Sequence, residues 1–202
     1  MEPAPREVTI PFRRLSRWLD GFADRHGEVE TIVSPLVVEL MAADGARAWI
    51  AVPFPPLQGT LLSHIHAPRR FGVLLVRRGG HAAGVFDGER LVASKVGSSY
   101  VQGSTKAGGW SQQRYARRRA NQAVAAFAAA ADDGAGVLTG QPLDAVFVGG
   151  DRAAVTAVLA DPRLASLSEL VTEPWLNVPD PRLRVLEGTP EQFAAVRIKL
   201  LP

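Results

Sequence analysis

The chain has 202 residues, of which 47% are hydrophobic and 21% are charged, a balance that excludes wholesale disorder and favours one globular domain. It contains no cysteine, which excludes disulfides, thiolate catalysis and thiolate metal sites and makes the cytoplasm the expected compartment. The net charge is +3, yet residues 90–131 carry seven positive charges and no Asp or Glu. Such a local patch indicates nucleic-acid binding or, alternatively, a solvated helix face.

The first third of the chain predicts an N-terminal arm and an amphipathic helix, followed by extended segments. Apolar residues recur at helical spacing at Phe12, Leu15, Trp18, Leu19 and Phe22. Residues 28–53 contain strand-like apolar runs, and the proline-rich stretch 53–57 is a loop. A metal site at His64 and His66 is possible, but no carboxylate motif lies near them, so we interpret them as loop or strand histidines.

The clearest β signal lies in residues 71–101. Gly72–Val76 and His81–Phe86 predict two paired strands, and Arg90–Val96 predicts a third strand after the hairpin dipeptide Asp87–Gly88. These segments predict a three-stranded meander. The polar, glycine-rich residues 102–110 that follow predict a loop that is mobile in solution.

One long helix is predicted over residues 111–131, with Ser111 as its N-cap. Its apolar stripe consists of Ala116, Ala120, Ala123, Val124, Phe127 and Ala131. A different face carries Arg114, Arg117, Arg118 and Asn121. The chain therefore presents a row of guanidinium groups directly behind a glycine-rich loop.

The last third of the chain predicts alternating strands and helices with proline-rich connections. They are a strand at Leu143–Val148, a helix at Arg152–Ala160 capped by Asp151, a strand at Arg182–Leu186 and a helix that opens at Thr189. Gly149–Gly150 before Asp151 could form a phosphate-binding turn, but neither G-x-G-x-x-G nor a Walker lysine is present. We therefore interpret it as a capped strand–helix turn.

The order β-β-β-α-β-α predicts a mixed α/β fold, in which a β-meander is followed by a glycine-rich loop and a long basic helix. We expect a single domain over residues 1–202. Within it, residues 1–45 form an N-terminal arm and helix, and residues 46–202 form an α/β core that carries the loop 102–110.

The most specific motif in the chain joins this loop to the basic helix. Gly108–Gly109 is followed by Trp110, Ser111 and Gln112 and then by the basic run Arg114–Arg119. This string resembles the central domain of archaeal and eukaryotic class-one release factors, which carry a Gly-Gly-Gln loop, a serine and a basic helix. One departure is that Trp110 stands where those factors have glutamine, while a glutamine follows two residues later. The resulting Gly-x-x-Gln string resembles the actinobacterial branch of the Vms-like release-factor family, over about residues 70–160.

The resemblance implies a release-factor central-domain-like fold and a peptidyl-tRNA hydrolase that frees nascent peptides on stalled large ribosomal subunits. Gln112 would hold a water against the ester, while Gly108 and Gly109 let the backbone approach closely; Gln113 remains an alternative amide. The residues implied in RNA binding are Lys106, Trp110, Arg114, Arg117, Arg118 and Arg119.

The implied partners are large-subunit rRNA and peptidyl-tRNA, with no membrane, no DNA, no metal and no cofactor, for a protein that we expect to be monomeric. Two alternatives stay open. The chain could be a non-catalytic ribosome- or RNA-binding module, because the basic patch alone would bind RNA and the glutamine is displaced from the release-factor position. It could also be a nuclease acting on the tRNA acceptor end, which ranks last because the loop offers neither a metal cluster nor a general base.

Overall fold

A computed structural model of the chain describes residues 5–98 and 110–201, and over residues 110–121 it describes the helical backbone alone. The strands within these ranges are β1 (Arg6–Pro11), β2 (Val29–Val33), β3 (Val37–Ala42), β4 (Arg47–Ala51), β5 (Arg70–Arg77), β6 (Gly80–Asp87), β7 (Arg90–Ser98), β8 (Ala145–Gly150), β9 (Val171–Leu176) and β10 (Ala195–Leu201). The helices are α1 (Phe12–His26), α2 (Leu61–Ile65), α3 (Trp110–Leu138), α4 (Arg152–Leu159), α5 (Ala165–Ser168), α6 (Leu183–Glu187) and α7 (Pro190–Phe193), with a 3-10 turn at Pro162–Leu164.

The chain divides into two compact units, one formed by residues 1–68 with 194–202 and the other by residues 69–193. The predicted boundary at residue 45 falls between β3 and β4, which are neighbours in one sheet. The predicted N-terminal arm contains β1, a strand of that sheet. That residues 1–202 act as one catalytic domain is a functional expectation, and it stays a prediction.

The first unit is a five-stranded antiparallel sheet in the order β1-β10-β4-β3-β2. Its outermost pair joins the two ends of the chain, because β1 pairs with β10. Helix α1 buries Phe12, Leu15 and Phe22, three members of the apolar stripe predicted from the sequence. The helix stops at Gly27, whose φ of 84° is a left-handed conformation that glycine adopts without strain.

The second unit is a mixed sheet in the order β7-β6-β5-β8-β9. Strands β5, β6 and β7 are antiparallel neighbours, while β8 pairs in parallel with both β5 and β9. Parallel neighbours need a crossover connection, and here α4 connects β8 to β9 while α3 connects β7 to β8. The mixed α/β class and the order β-β-β-α-β-α are therefore confirmed over β5–α4.

Apolar layers cover both faces of this second sheet. On one face, Leu74 and Val76 of β5 belong to a buried cluster with Ala130 of α3 and Val155 of α4. The other face carries four stacked or edge-on rings, Phe71, Phe86, Phe147 and Phe193. Because both faces are covered, β5, β6 and β8 are buried along nearly their whole length and do not alternate between buried and exposed residues.

The predicted strand at Arg182–Leu186 is wrong, because this segment forms α6. The backbone N–H of Leu186 donates to the carbonyl of Arg182 at 3.0 Å, a bond between residues four apart that is typical of a helix and that an extended strand cannot make. The last strand is β10, which follows α7, the helix predicted to open at Thr189. Strand β9 and helix α2 have no counterpart among the predicted elements.

The long basic helix is confirmed, but its predicted bounds are wrong at both ends. It begins at Trp110, so Ser111 lies inside the helix and is not its N-cap. It also continues through Asp132–Asp133–Gly134 to Leu138, because both aspartates find partners in the fold and Gly134 faces the apolar side chains of Leu74 and Leu164.

Candidate functional site

The candidate site lies between the end of β7 at Ser98 and the beginning of α3 at Trp110. Gly108, Gly109 and Lys106, together with most of the predicted loop 102–110, lie outside the described residues. Gln112 is the third residue of α3, so its backbone belongs to the first helical turn. The role of Gln112 stays a prediction.

The basic residues occupy the turns of α3 that follow. Positions 114, 117 and 118 are spaced i, i+3 and i+4, so they share one helix face, whereas position 119 follows Gln112 by seven residues. The helix has no acidic residue in its first turn. Its N-terminal end therefore presents the positive end of the helix dipole with no carboxylate in that turn to offset it. The RNA-binding roles of Trp110, Arg114, Arg117, Arg118 and Arg119 stay predictions.

The C-terminal half of α3 is anchored in the second unit. The helix has 29 residues, which corresponds to a length of about 43 Å. Ala130, Ala131 and Leu138 are buried, whereas Val124, nearer the candidate site, is 68% exposed. Gly72 of β5 leaves room for Leu138, because a Cβ there would lie 3.2 Å from a Leu138 methyl carbon.

An exposed ion pair ties α3 to the 3-10 turn. Arg163 donates to Asp132 at 2.6 Å and makes two side-chain hydrogen bonds with Asp161, at 2.9 and 2.8 Å. The hydrogen bonds from Arg163 lower the pKa of Asp161 to about 2. The two carboxylates in turn raise the pKa of Arg163.

The neighbouring residue, Asp133, makes a more buried contact with the sheet. His81 Nε2 lies 2.9 Å from one carboxylate oxygen of Asp133, and Lys95 Nζ lies 3.4 Å from the other. Burial alone raises the pKa of Asp133, but the hydrogen bond with His81 and the charge of Lys95 outweigh burial and lower it. Asp133 is therefore ionised at neutral pH and accepts a hydrogen bond from the histidine N–H.

His64, which the sequence pairs with His66 as a possible metal ligand, has both ring nitrogens engaged in hydrogen bonds. His64 is buried in α2, so its interpretation as a loop or strand residue is wrong. Its Nε2 donates to the carbonyl of Pro53 at 2.8 Å, and its Nδ1 accepts from the backbone N–H of Gln58 at 3.1 Å, which leaves no lone pair for a metal. Across the described parts of the chain, no three His, Asp or Glu residues lie together as a possible metal site.

The glycine pair before Asp151 has a structural explanation. Asp151 caps α4 by accepting from the N–H of Ala153 at 3.2 Å, so the interpretation as a capped strand–helix connection is confirmed. A Cβ at Gly149 would lie 2.5 Å from the carbonyl oxygen of Leu176, and Gly150 has a φ of 98°. Close backbone packing and a left-handed turn thus account for both glycines.

None of the described helices combines the length and apolarity needed to cross a bilayer.

The mixed sheet β5–β9 and the long helix α3 lie in the part of the chain that a family model matches. The family model of the actinobacteria/chloroflexi VLRF1 release factor matches residues 69–199. The chain belongs to this family. The resemblance inferred from the motif is thereby confirmed, and the matched region begins at the residue where the second unit begins.

Comparison with solved structures gives distant similarities. The archaeal translation termination factor aRF1 is 14% identical, with a TM-score of 0.47, and the alignment covers 92% of this chain and 63% of that one. A second structure, described as an archaeal protein, is also 14% identical, with a TM-score of 0.35 and coverage of 91% and 62%. The chain thus spans less than two thirds of the length of either structure. No curated protein matches the chain.

Proposed function

We propose that this chain is a peptidyl-tRNA hydrolase that frees nascent peptides from tRNA on stalled large ribosomal subunits. The observation that carries the proposal is membership of the VLRF1 release-factor family through a region that contains the Gly-x-x-Gln string and its helix. The proposed partners are large-subunit rRNA and peptidyl-tRNA, and the protein acts in the cytoplasm as a monomer.

In the proposed reaction, Gln112 orders a water molecule against the carbonyl carbon of the peptidyl ester. Attack by water breaks the bond between that carbon and the ribose oxygen of tRNA. One proton of the water ends on the ribose oxygen, and the other is released to solvent when the new carboxylic acid ionises, so the products are a peptide carboxylate, a proton and full-length tRNA. Gly108 and Gly109 allow backbone N–H groups to approach the developing oxyanion, which they stabilise.

The basic residues bind RNA in this proposal. Lys106, together with Arg114, Arg117, Arg118 and Arg119, pairs with phosphates as the tip enters a site walled by RNA. Trp110 stacks on a base. The absence of Asp and Glu from residues 90–131 supports this role, because a carboxylate would be repelled by the phosphate backbone.

The test is a peptide-release assay on purified stalled complexes with Gln112→Ala and, as a matched control one residue away, Gln113→Ala. We expect Gln112→Ala to lower the release rate by about 100-fold or more, with ribosome binding nearly unchanged. Equal release by Gln112→Ala and the wild type would remove Gln112 from the mechanism. Binding without release by the wild type would favour the non-catalytic module, and shortened tRNA on a gel would favour a nuclease.

A further inference from the structure

Three charged or polar side chains from three elements meet at the base of α3. They are His81 of β6, Lys95 of β7 and Asp133 of α3, which we call the base clamp. His81 donates to one carboxylate oxygen of Asp133 at 2.9 Å, and Lys95 faces the other oxygen at 3.4 Å. The side chain of His81 is 4% exposed and that of Asp133 is 21% exposed, so the contact between them is largely shielded from water.

The base clamp joins the two elements that flank the candidate site. In the sheet register, His81 lies opposite Gly97 and Gly80 lies opposite Ser98, the last residue of β7. Gly97 packs directly on the imidazole, because a Cβ at this position would overlap the His81 ring. The outgoing strand β7 and the returning helix α3 are thus fastened to each other and to β6 within three residues of the end of β7.

The base clamp provides directional contacts where the apolar packing does not. The fully buried residues of α3 nearest the base clamp, Ala130 and Ala131, are small. The largest apolar side chains of the helix on the same cluster, Phe127 and Leu138, lie five or more residues from Asp133. Apolar contacts are non-directional, so alanines alone set the distance of the helix from the sheet better than its rotation or tilt. A carboxylate that accepts from a buried imidazole N–H and pairs with an ammonium group fixes both angles.

Helix α3 turns a small angle at the base clamp into a large displacement at the candidate site. Asp133 follows Trp110 by 23 residues, which corresponds to a lever of about 34 Å along the helix. A tilt of about 10° at the base therefore moves the first turn by about 6 Å. Misplacement by about 1 Å can cost a hydrolytic site about 100-fold in rate.

We infer that His81, Asp133 and Lys95 are positioning residues that fix the direction of α3, so that its first turn meets the ester in a single orientation. The catalytic part of this inference rests on the proposed hydrolase function. The mechanical part, that the base clamp fixes the orientation of α3 on the sheet, does not.

The kinetic test compares Asp133→Asn with Asp132→Asn, which disrupts the exposed ion pair at the adjacent helix position. We expect Asp133→Asn to lower kcat for peptide release by about 10- to 100-fold, with KM for stalled complexes within about twofold of the wild type. Asp132→Asn should change neither constant by more than about twofold. A higher KM with an unchanged kcat for Asp133→Asn would overturn the inference, because the helix would then serve binding alone.

A physical measurement tests the mechanical part without the reaction. The chain lacks cysteine, so spin labels can be attached at Val124→Cys on α3 and at Ala157→Cys on α4, two exposed positions. Double electron–electron resonance then reports the distance between the helices. In the Asp133→Asn background we expect the distance distribution to broaden or shift by about 2 Å, the displacement that a 10° tilt gives nine residues from Asp133.

Each combination of results is decisive. Broadening in Asp133→Asn without release by the wild type would refute the proposed function and leave the base clamp intact. An unchanged distance distribution would overturn the base clamp, whatever the rate. If Asp133→Asn does not fold, Lys95→Gln replaces it, because Lys95 is 63% exposed, and Lys95→Arg should restore both the rate and the distance.

Discussion

Replacing Gly97 with alanine tests the packing of the base clamp at a single atom. The added Cβ would overlap Cε1 and Nε2 of His81 and would lie 3.1 Å from Nδ1, whereas ordinary contacts begin at 3.4 Å. The ring would have to retreat by about 1 Å, but it is buried and hydrogen-bonded to Asp133 at 2.9 Å. Either the hydrogen bond between His81 and Asp133 or the pairing of β6 with β7 must therefore lengthen or break.

The expected cost adds overpacking of about 1–3 kcal/mol to the weakening of a charge-assisted hydrogen bond, which gives a loss of about 2–5 kcal/mol in the free energy of unfolding. The measurement is urea denaturation. Gly136→Ala is the matched control, because Gly136 lies within α3 with open space around its Cα, and alanine there should stabilise the protein by about 0.5–1 kcal/mol.

A double-mutant cycle shows whether the His81 ring causes the loss. If it does, Gly97→Ala should lower the free energy of unfolding in a His81→Ala background by less than half of what it does in the wild type, because the added methyl group then has room. An equal cost in both backgrounds would refute the reasoning, since the strain would then come from the backbone of β7 and not from the imidazole.

Further predictions concern titration, the core and RNA binding. Arg163→Gln should raise the pKa of Asp161 from about 2 towards its ordinary value of 3.8, measured by NMR titration. Because the folded pKa is depressed, the wild-type pair stabilises the fold above about pH 4 and loses this effect as the pH falls towards 2, and the variant should lose less over that window. Phe193→Ala should cost about 3–5 kcal/mol in denaturant unfolding, because its ring is buried among three others; a loss below about 1 kcal/mol would contradict this packing. Replacing Arg117 and Arg118 with glutamine should weaken ribosome binding and reduce the slope of log K against log salt by up to about 2, and an unchanged slope would argue against phosphate contacts there.

The sequence predicts those parts of the fold whose signals are local. The meander β5–β7 follows from apolar runs separated by short turns, and Gly88 has the positive φ of 59° that the Asp-Gly dipeptide leads one to expect. Helix α1 follows from a stripe of apolar residues at helical spacing. In both cases the residues that specify the element lie within about ten positions of one another.

The missed elements depend on distant partners. Strand β1 pairs with β10 from the opposite end of the chain, so neither segment carries a local sign that it belongs to a sheet. The five residues of α6 are too few for periodicity to separate a helix from a strand. The apparent helix stop at Asp132–Asp133–Gly134 is overridden by partners elsewhere in the fold.

The candidate site likewise has one part that the sequence predicts and another that depends on residues far apart in the chain. Its motif is contiguous, so the Gly-x-x-Gln string and the basic run are readable in the sequence and lead to the correct family. The base clamp is not readable, because 52 residues separate His81 from Asp133. Each of its members taken alone is an ordinary polar residue on a strand or a helix.

The pairing of the first and last strands has a consequence for how the protein emerges during its own synthesis. Strand β10 inserts between β1 and β4, so β4 keeps an open hydrogen-bonding edge until residues 195–201 have been translated. Residues 69–193 are contiguous and can close their own sheet earlier, whereas the sheet of the first unit stays incomplete until β10 has been made. Residues 6–11 are thus translated long before the strand that they pair with.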